Sequence, residues 1–168
     1  QFAIIAFYMT DKIIIYYFTG VASEVGYYDQ ALKFIMIGVA VVTAISTILL
    51  PRFARLHSGA KTAELQLLIH KAVRLTTMVC VLIALLLFFN ADPFLILFLG
   101  ADYRPSIALL QILSIGFVLK GISAILGSSY LIAVGQNIRF CIVIYSAALT
   151  NIIFNYAFIS RYSAVGAC

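Results

Sequence analysis

Four ionisable side chains lie within strongly apolar stretches of the sequence, where charge is rare. They are Asp11, Lys12, Lys33 and Lys120. Ionisable residues inside a membrane span are costly, so they usually face a cavity, a partner helix or the interface. A carboxylate in such a place can bind or release an ion, and a lysine can compensate a negative charge crossing a region of low dielectric constant. These four residues are therefore the first candidates for function.

The acidic candidate, Asp11, is adjacent to Lys12 in the sequence. Neighbouring side chains on a helix are separated by about 100°, so these two cannot point at the same partner. We expect one to face the interior of a helix bundle and the other to reach a headgroup or a different helix. Two hypotheses stay open for Asp11, namely an ion-coupling role and a purely structural interhelical network of offsetting charges.

The first cationic candidate, Lys33, follows a run of tyrosines near the start of an apolar stretch and shares a helical stripe with Gln30, Ile37 and Ala44. From that depth a lysine stem can reach the outer interface. The sequence therefore predicts either that Lys33 lines a cavity, with Gln30 as a polar neighbour, or that its amine extends to the headgroups.

The second cationic candidate, Lys120, lies near the middle of another apolar stretch. Small and polar residues recur around it at steps of four, three, four and three, which places them on one helical face. This face consists of Gly116, Lys120, Ser123, Gly127 and Tyr130. It favours a wall of a water-filled cavity and is also compatible with close helix packing around a counter-charge.

Two amides complete the set of candidate polar residues. Asn151 and Asn155 are one helical turn apart in the last apolar stretch and could hydrogen-bond to another helix or to a polar ligand. The sequence contains no phosphate-cradling glycine loop, no nucleophile elbow and no cluster of residues at metal-ligand spacing. We therefore expect neither an enzyme nor a cofactor or metal site.

The composition identifies the class of protein that must position these residues. Of the 168 residues, 64% are apolar or aromatic and 10% are charged, and the mean hydropathy is +1.12. Soluble domains have about a quarter of their residues charged, so this composition indicates a membrane protein. The net charge of +5 comes from scattered basic residues that form no stripe for a nucleic-acid backbone. We exclude nucleic acid as a partner.

The apolar runs predict an all-α, polytopic transmembrane bundle, because a span needs about 20 mostly apolar residues. Five stretches qualify, at residues 2–19, 27–50, 72–90, 106–134 and 140–160. A basic, amphipathic helical segment is predicted at 52–71, lying at the headgroups before the third span. The positive-inside rule places this segment in the cytoplasm. Because five spans are an odd number and the chain begins with Gln1, we expect it to be a fragment.

Several sequence strings together resemble a known family. They are DKIIIYYFTGVASEVGYYDQALKF, LLPRFARL, PFLILFLGADYRPSIALLQILS, LIAVGQNIRF and NIIFNYAFISRYSAVGA. In this order they resemble the second half of bacterial polysaccharide (O-antigen) flippases of the Wzx type, in the multidrug, oligosaccharidyl-lipid and polysaccharide exporter superfamily. The resemblance covers essentially all 168 residues. It implies that residues 1–168 are part of the second lobe of a two-lobed transporter with twelve to fourteen helices.

The resemblance also implies a function. Such a transporter moves undecaprenyl-diphosphate-linked oligosaccharides to the outer leaflet of the bacterial inner membrane for polysaccharide and lipopolysaccharide synthesis, by alternating access coupled to H⁺ or Na⁺. Asp11 matches the family's aspartate in its seventh helix, and Lys33 follows the GYY motif in the eighth. The implied partners are the lipid-linked oligosaccharide, membrane lipid, a polysaccharide polymerase and a chain-length regulator.

Three other functions remain open from the sequence. A flippase for the peptidoglycan lipid precursor would share the fold and the diphosphate, and a multidrug or cation exporter of the same superfamily should have mainly acidic cavity residues. A scaffold that recruits glycan assembly enzymes through the basic segment predicts sensitivity to charge reversal at Arg52, Arg55 and Arg74.

Overall fold

The computed structural model describes residues 2–162 of the chain, with the side-chain surroundings of residues 9–155 and Ile159. Gln1 and residues 163–168, which belong to the predicted partial lobe at 1–168, lie outside the described residues. The described chain is an all-α bundle without strands in the range 2–162. Its helices are α1 (Phe2–Thr19), α2 (Ala22–Ser58), α3 (Thr62–Phe89), α4 (Ala91–Leu99), α5 (Ser106–Ser123) and α6 (Asn137–Tyr162).

Four helical stretches of the described residues are long and apolar enough to cross a membrane. They are Ala22–Ser58, Thr62–Phe89, Ser106–Leu131 and Asn137–Asn155. The 18 residues of α1 form a further apolar helix beside them. The chain is therefore a polytopic, multi-pass membrane bundle, as its composition predicts.

Helix α2 is longer than the span predicted at 27–50. It continues through Pro51 and ends at Ser58. Proline removes one backbone hydrogen bond, but neighbouring helices can compensate for that loss in a membrane protein. Here the residues beyond the proline are anchored by Phe53, which is fully buried and packs with Leu65 and Ile125.

The amphipathic segment predicted at 52–71 is not a single helix along the membrane surface. The ends of α2 and α3 meet at a tight turn, in which Ala60 has a φ of 53°. The apolar stripe of the segment packs inward, with Leu65 and Ala72 buried against the protein. The apolar face of the segment, which was predicted to lie at the headgroups, is therefore covered by other helices of the protein. The basic residues around this turn are exposed at one end of the bundle, namely Arg52, Arg55, Lys61, Lys71 and Arg74.

The core lies where α2, α3 and α5 meet, and two glycines allow their close approach. A Cβ atom on Gly38 of α2 would lie 2.8 Å from Cζ of Phe117 on α5. A Cβ atom on Gly121 of α5 would overlap the sulfur of Cys80 on α3. Small residues are common at such contacts between membrane helices because van der Waals packing drives their association.

Substituting Gly121→Ala is expected to lower the free energy of unfolding by about 1–3 kcal/mol, the usual cost of overpacking a core. Gly116→Ala is the matched control, because no atom lies within 4 Å of a Cβ on Gly116 of the same helix. Chemical unfolding of the purified full-length protein in detergent measures the stability of both glycine variants. Adding Cys80→Ala should restore most of the stability lost in Gly121→Ala. Equal stability of the two glycine variants would contradict this packing.

The predicted fourth span, at 106–134, changes its helical type along its length. Helix α5 ends at Ser123, and residues Ala124–Leu131 continue it as a π-helix. In this π segment Ser128 donates to the carbonyl of Ala124, and Ser129 donates to the carbonyl of Ser46 on α2 at 3.4 Å. Because π-helical turns are wider than α-helical turns, the faces before and after Ser123 are not in register.

Candidate functional site

Asp11 is the centre of a buried polar network that joins three helices. Its side chain on α1 is 2% exposed. The Tyr28 hydroxyl on α2 donates to Oδ2 of Asp11 at 3.0 Å, and the Asn155 amide on α6 donates to Oδ1 at 2.6 Å. Asn155 also donates to Oδ1 of Asn151 at 3.1 Å. The two predicted asparagines thus lie together with Asp11.

Lys12 points away from this network and belongs to a separate group of charges. It forms an ion pair with Asp29 of α2. The other carboxylate oxygen of Asp29 is 3.1 Å from Nζ of Lys33, one turn further along α2. Asp11 and Lys12 therefore do not offset each other, since each has its partners on another helix. Asp29 links the two lysines, and this group of two cations and one anion carries one net positive charge.

Lys33 and Gln30 lie next to each other at the edge of a cleft. The Lys33 amine is 3.4 Å from Oε1 of Gln30, and its side chain is 61% exposed. The cleft lies between α2, α3 and α4 and has a volume of about 650 Å³. Apart from these two residues, it is lined by apolar side chains and Gly38. Lys33 is thus accessible at a place where most of the surroundings are hydrophobic.

Lys120 lies on α5 and is not among the residues that line the cleft beside Lys33. Gly116, Lys120 and Ser123 are all exposed on one face of α5, as their spacing predicts. The Ser123 hydroxyl donates to the carbonyl of Lys120 within its own helix at 2.9 Å.

Tyr130 does not extend the exposed face of α5 as its spacing predicts. It is half-buried, and its ring packs edge-on against Phe53, with the ring centroids 6.3 Å apart. The π segment between Ser123 and Tyr130 changes the register, so an α-helical projection fails there. The structure therefore assigns Tyr130 to helix packing near the basic turn.

Two residues of the site were absent from the sequence-based candidates, namely Tyr28 and Asp29. The helical hairpin at Gly20, where φ is 66°, would have indicated these two residues. A hairpin brings together residues at nearly equal distances on either side of its turn. That rule pairs Asp11 and Lys12 with the YD dipeptide at 28–29, as observed.

The usual metal-binding side chains do not cluster in the described part of the chain. Among the described residues, no group of three or more His, Cys, Asp or Glu side chains could hold a metal ion. His57 and His70, which flank the basic turn, are both exposed. The chemistry available in this part of the chain is that of hydrogen bonds and of charges placed within an apolar bundle.

A comparison with protein families decides the class to which the bundle belongs. The family described as polysaccharide biosynthesis protein matches residues 2–108, which is well over half of the chain. The chain belongs to the polysaccharide biosynthesis protein family. Its matched region runs from α1 to the beginning of α5, so it contains Asp11, Tyr28, Asp29 and Lys33. No curated protein and no solved structure matches the chain.

Membership in the polysaccharide biosynthesis protein family agrees in broad terms with the resemblance drawn from the sequence. It gives the multi-pass bundle a role in polysaccharide biosynthesis. Lys120, Asn151 and Asn155 lie beyond the family match, so the match carries no information about them.

Proposed function

We propose that this chain is part of a flippase of the Wzx type. The flippase moves undecaprenyl-diphosphate-linked oligosaccharides across the bacterial inner membrane for polysaccharide and O-antigen synthesis. It acts as a transporter and not as an enzyme, because its role is to carry a finished lipid-linked unit between leaflets. Membership in the polysaccharide biosynthesis protein family and the four candidate spans support this proposal.

The observation that carries the proposal is the exposure of two lysines on membrane-spanning helices. Lys33 is exposed on α2 and Lys120 on α5. A lysine facing lipid at the centre of a bilayer costs about 2.5–3.5 kcal/mol, so such residues almost always face a water-filled cavity or a protein partner. A cavity that contains cations would lower the energy of a diphosphate as it crosses the region of low dielectric constant.

Asp11 is the proposed ion-coupling residue. Its carboxylate is buried between α1, α2 and α6, where it accepts hydrogen bonds from the Tyr28 hydroxyl and the Asn155 amide, and Asn155 also donates to Asn151. Binding of H⁺ or Na⁺ to this carboxylate would change its charge and its hydrogen bonds to two other helices. The coupling ion would thereby alter how α1 packs against α2 and α6, which is the kind of change that alternating access requires.

The proposed partners follow from the substrate. The lipid-linked oligosaccharide and membrane lipid contact the transporter directly, while a polysaccharide polymerase and a chain-length regulator use the unit after it reaches the outer leaflet. The basic turn between α2 and α3 would face the cytoplasm according to the positive-inside rule.

Complementation tests the role of the two lysines. The full-length protein carrying Lys33→Ala and Lys120→Ala is expressed in a strain without its own polysaccharide flippase. We expect surface polysaccharide to fall about ten-fold, which corresponds to a loss of about 1.4 kcal/mol of substrate stabilisation. The matched control carries Lys61→Ala and Lys71→Ala, since these lysines are exposed near the basic turn. The amount of protein in the membrane is measured for each strain.

Two outcomes would contradict the proposal. One is full restoration of surface polysaccharide by the Lys33→Ala, Lys120→Ala variant. The other is loss of function only when charge is reversed at Arg52, Arg55 and Arg74, which would favour a scaffold role.

The replacement of both lysines by arginine should retain activity, because the positive charges remain.

A further inference from the structure

The cleft beside Lys33 has the form of a binding site for a hydrocarbon chain. Phe34 of α2 and Phe98 of α4 face each other there, with ring centroids 6.1 Å apart. Ile37 and Leu86 continue the apolar wall, and both are more than half exposed, as is Phe98. The cleft is therefore an open groove on the outside of the bundle, between two helices that are long enough to cross a membrane and the short helix α4, and not a sealed gap in the core.

Polar groups occur at one end of this groove. Gln30 and Lys33 come first along the α2 wall, before the apolar residues that line the rest of it. They are near the end of the bundle opposite the basic turn, where α1 and α2 are joined. An elongated apolar groove with a cation at its end matches the shape and the charge of a phosphate-bearing lipid.

The net charge at this end favours a lipid with one negative charge. Lys12 and Lys33 share the single carboxylate of Asp29, which leaves one positive charge in the group. A phospholipid phosphodiester carries one negative charge and would balance this positive charge. Lys33 is the more exposed of the two lysines and is the one that borders the groove.

We propose that the groove between α2, α3 and α4 binds one chain of an anionic bilayer phospholipid, with its phosphodiester held by Lys33. The lipid would cover the apolar wall formed by Phe34, Ile37, Leu86 and Phe98. It would also connect α4 to α2 through a molecule of the surrounding bilayer. This proposal assigns the groove to a lipid of the bilayer and goes beyond the flippase function proposed above, with which it shares Lys33.

Fluorescence quenching by brominated lipids tests the site. The chain contains no Trp, so a Trp introduced at a chosen position reports on its own surroundings when the parent protein's signal is subtracted. The full-length protein with Phe98→Trp is reconstituted in vesicles that contain brominated phosphatidylglycerol or brominated phosphatidylcholine. We expect phosphatidylglycerol to bind about five-fold more strongly than phosphatidylcholine at Phe98→Trp, the effect of one cation close to an anionic lipid.

Two matched variants identify the source of that preference. Leu97→Trp places the probe on the neighbouring residue, which is 79% exposed and lies outside the groove, and it should show no preference. Adding Lys33→Gln to Phe98→Trp should remove the preference, while Lys33→Arg should keep it. A preference that survives Lys33→Gln would overturn the proposal.

Two further outcomes would also overturn the assignment. If neither brominated lipid quenches Phe98→Trp, another part of the protein covers the groove. If a small mole fraction of undecaprenyl diphosphate abolishes quenching by brominated phosphatidylglycerol, the groove belongs to the transported isoprenoid lipid. Lipid-selective quenching in a protein that fails to transport would support this site and contradict only the flippase proposal.

Discussion

Replacing Asp11 by alanine is expected to abolish transport and to lower the free energy of unfolding by about 3 kcal/mol. The reason is that two buried donors, the Tyr28 hydroxyl and the Asn155 amide, would each lose their acceptor. An unsatisfied buried donor costs about 1–3 kcal/mol. Chemical unfolding of the purified protein measures the stability, and complementation measures the transport.

Asp11→Asn separates the structural role of Asp11 from its proposed coupling role. The asparagine retains a carbonyl acceptor at nearly the same volume but has no charge to bind a cation. We expect Asp11→Asn to lose less than about 1.5 kcal/mol of stability, the net value of one hydrogen bond, and still to lose transport. Normal transport by Asp11→Asn would contradict ion coupling at this residue. Unchanged stability of Asp11→Ala would contradict the buried network itself.

The second large effect is expected at Asp29, because it is the common partner of two lysines. Asp29→Asn should lower the free energy of unfolding by about 1–3 kcal/mol, between the values for exposed and buried ion pairs. The side chains of Lys12 and Asp29 are each 28% exposed, so solvent reduces the effect below that of a buried pair. The change would also leave two lysine cations close together without a counter-charge.

A double substitution checks the origin of that loss. Adding Lys12→Gln to Asp29→Asn should recover part of the stability, since it removes one of the two uncompensated cations. Lys33→Gln alone should cost less than about 0.5 kcal/mol, because its pair is within one helix and largely exposed. If Asp29→Asn and Lys33→Gln have equal effects, Asp29 does not hold α1 against α2. All three proteins are compared by chemical unfolding in the same detergent.

The sequence predicts the helices well because their main determinant is local. About 20 apolar residues in succession can cross a bilayer only as a helix, and each predicted span overlaps an observed helix. The ends of the helices were less predictable, since they depend on tertiary contacts. Helix α2 passes Pro51 because Phe53 beyond it is buried by α3 and the π segment.

Short and irregular elements lie beyond what hydropathy can indicate. Helix α4 has only nine residues, too few for a span, and Pro93 is tolerated in it because the residue lies in the first turn. The π segment at Ala124–Leu131 has an ordinary apolar composition, so nothing in its pattern distinguishes it from an α-helix. Both elements matter for the surface, because α4 forms one wall of the lipid groove and the π segment displaces Tyr130.

The sequence indicates candidate site residues one by one but does not show how they are arranged. An ionisable side chain is energetically costly in lipid, and this cost identifies Asp11, Lys33 and Lys120 as candidates from the sequence alone. Their partners depend on how helices pair, and Tyr28 and Asp29 became visible only once α1 and α2 were seen as a hairpin. For the same reason, the sequence could not show that Asn155 reaches Asp11 from the other end of the chain.

The central claim is that the protein moves a lipid-linked oligosaccharide across a membrane, and a flipping measurement tests it most directly. The full-length protein is reconstituted in vesicles with a fluorescent undecaprenyl-diphosphate-linked oligosaccharide, and dithionite is added outside to bleach accessible label. We predict that the inner-leaflet label becomes accessible with the protein present, and about ten-fold more slowly with the Lys33→Ala, Lys120→Ala variant. Inner-leaflet label that remains as protected as in protein-free vesicles, under both a proton and a sodium gradient, would contradict the account.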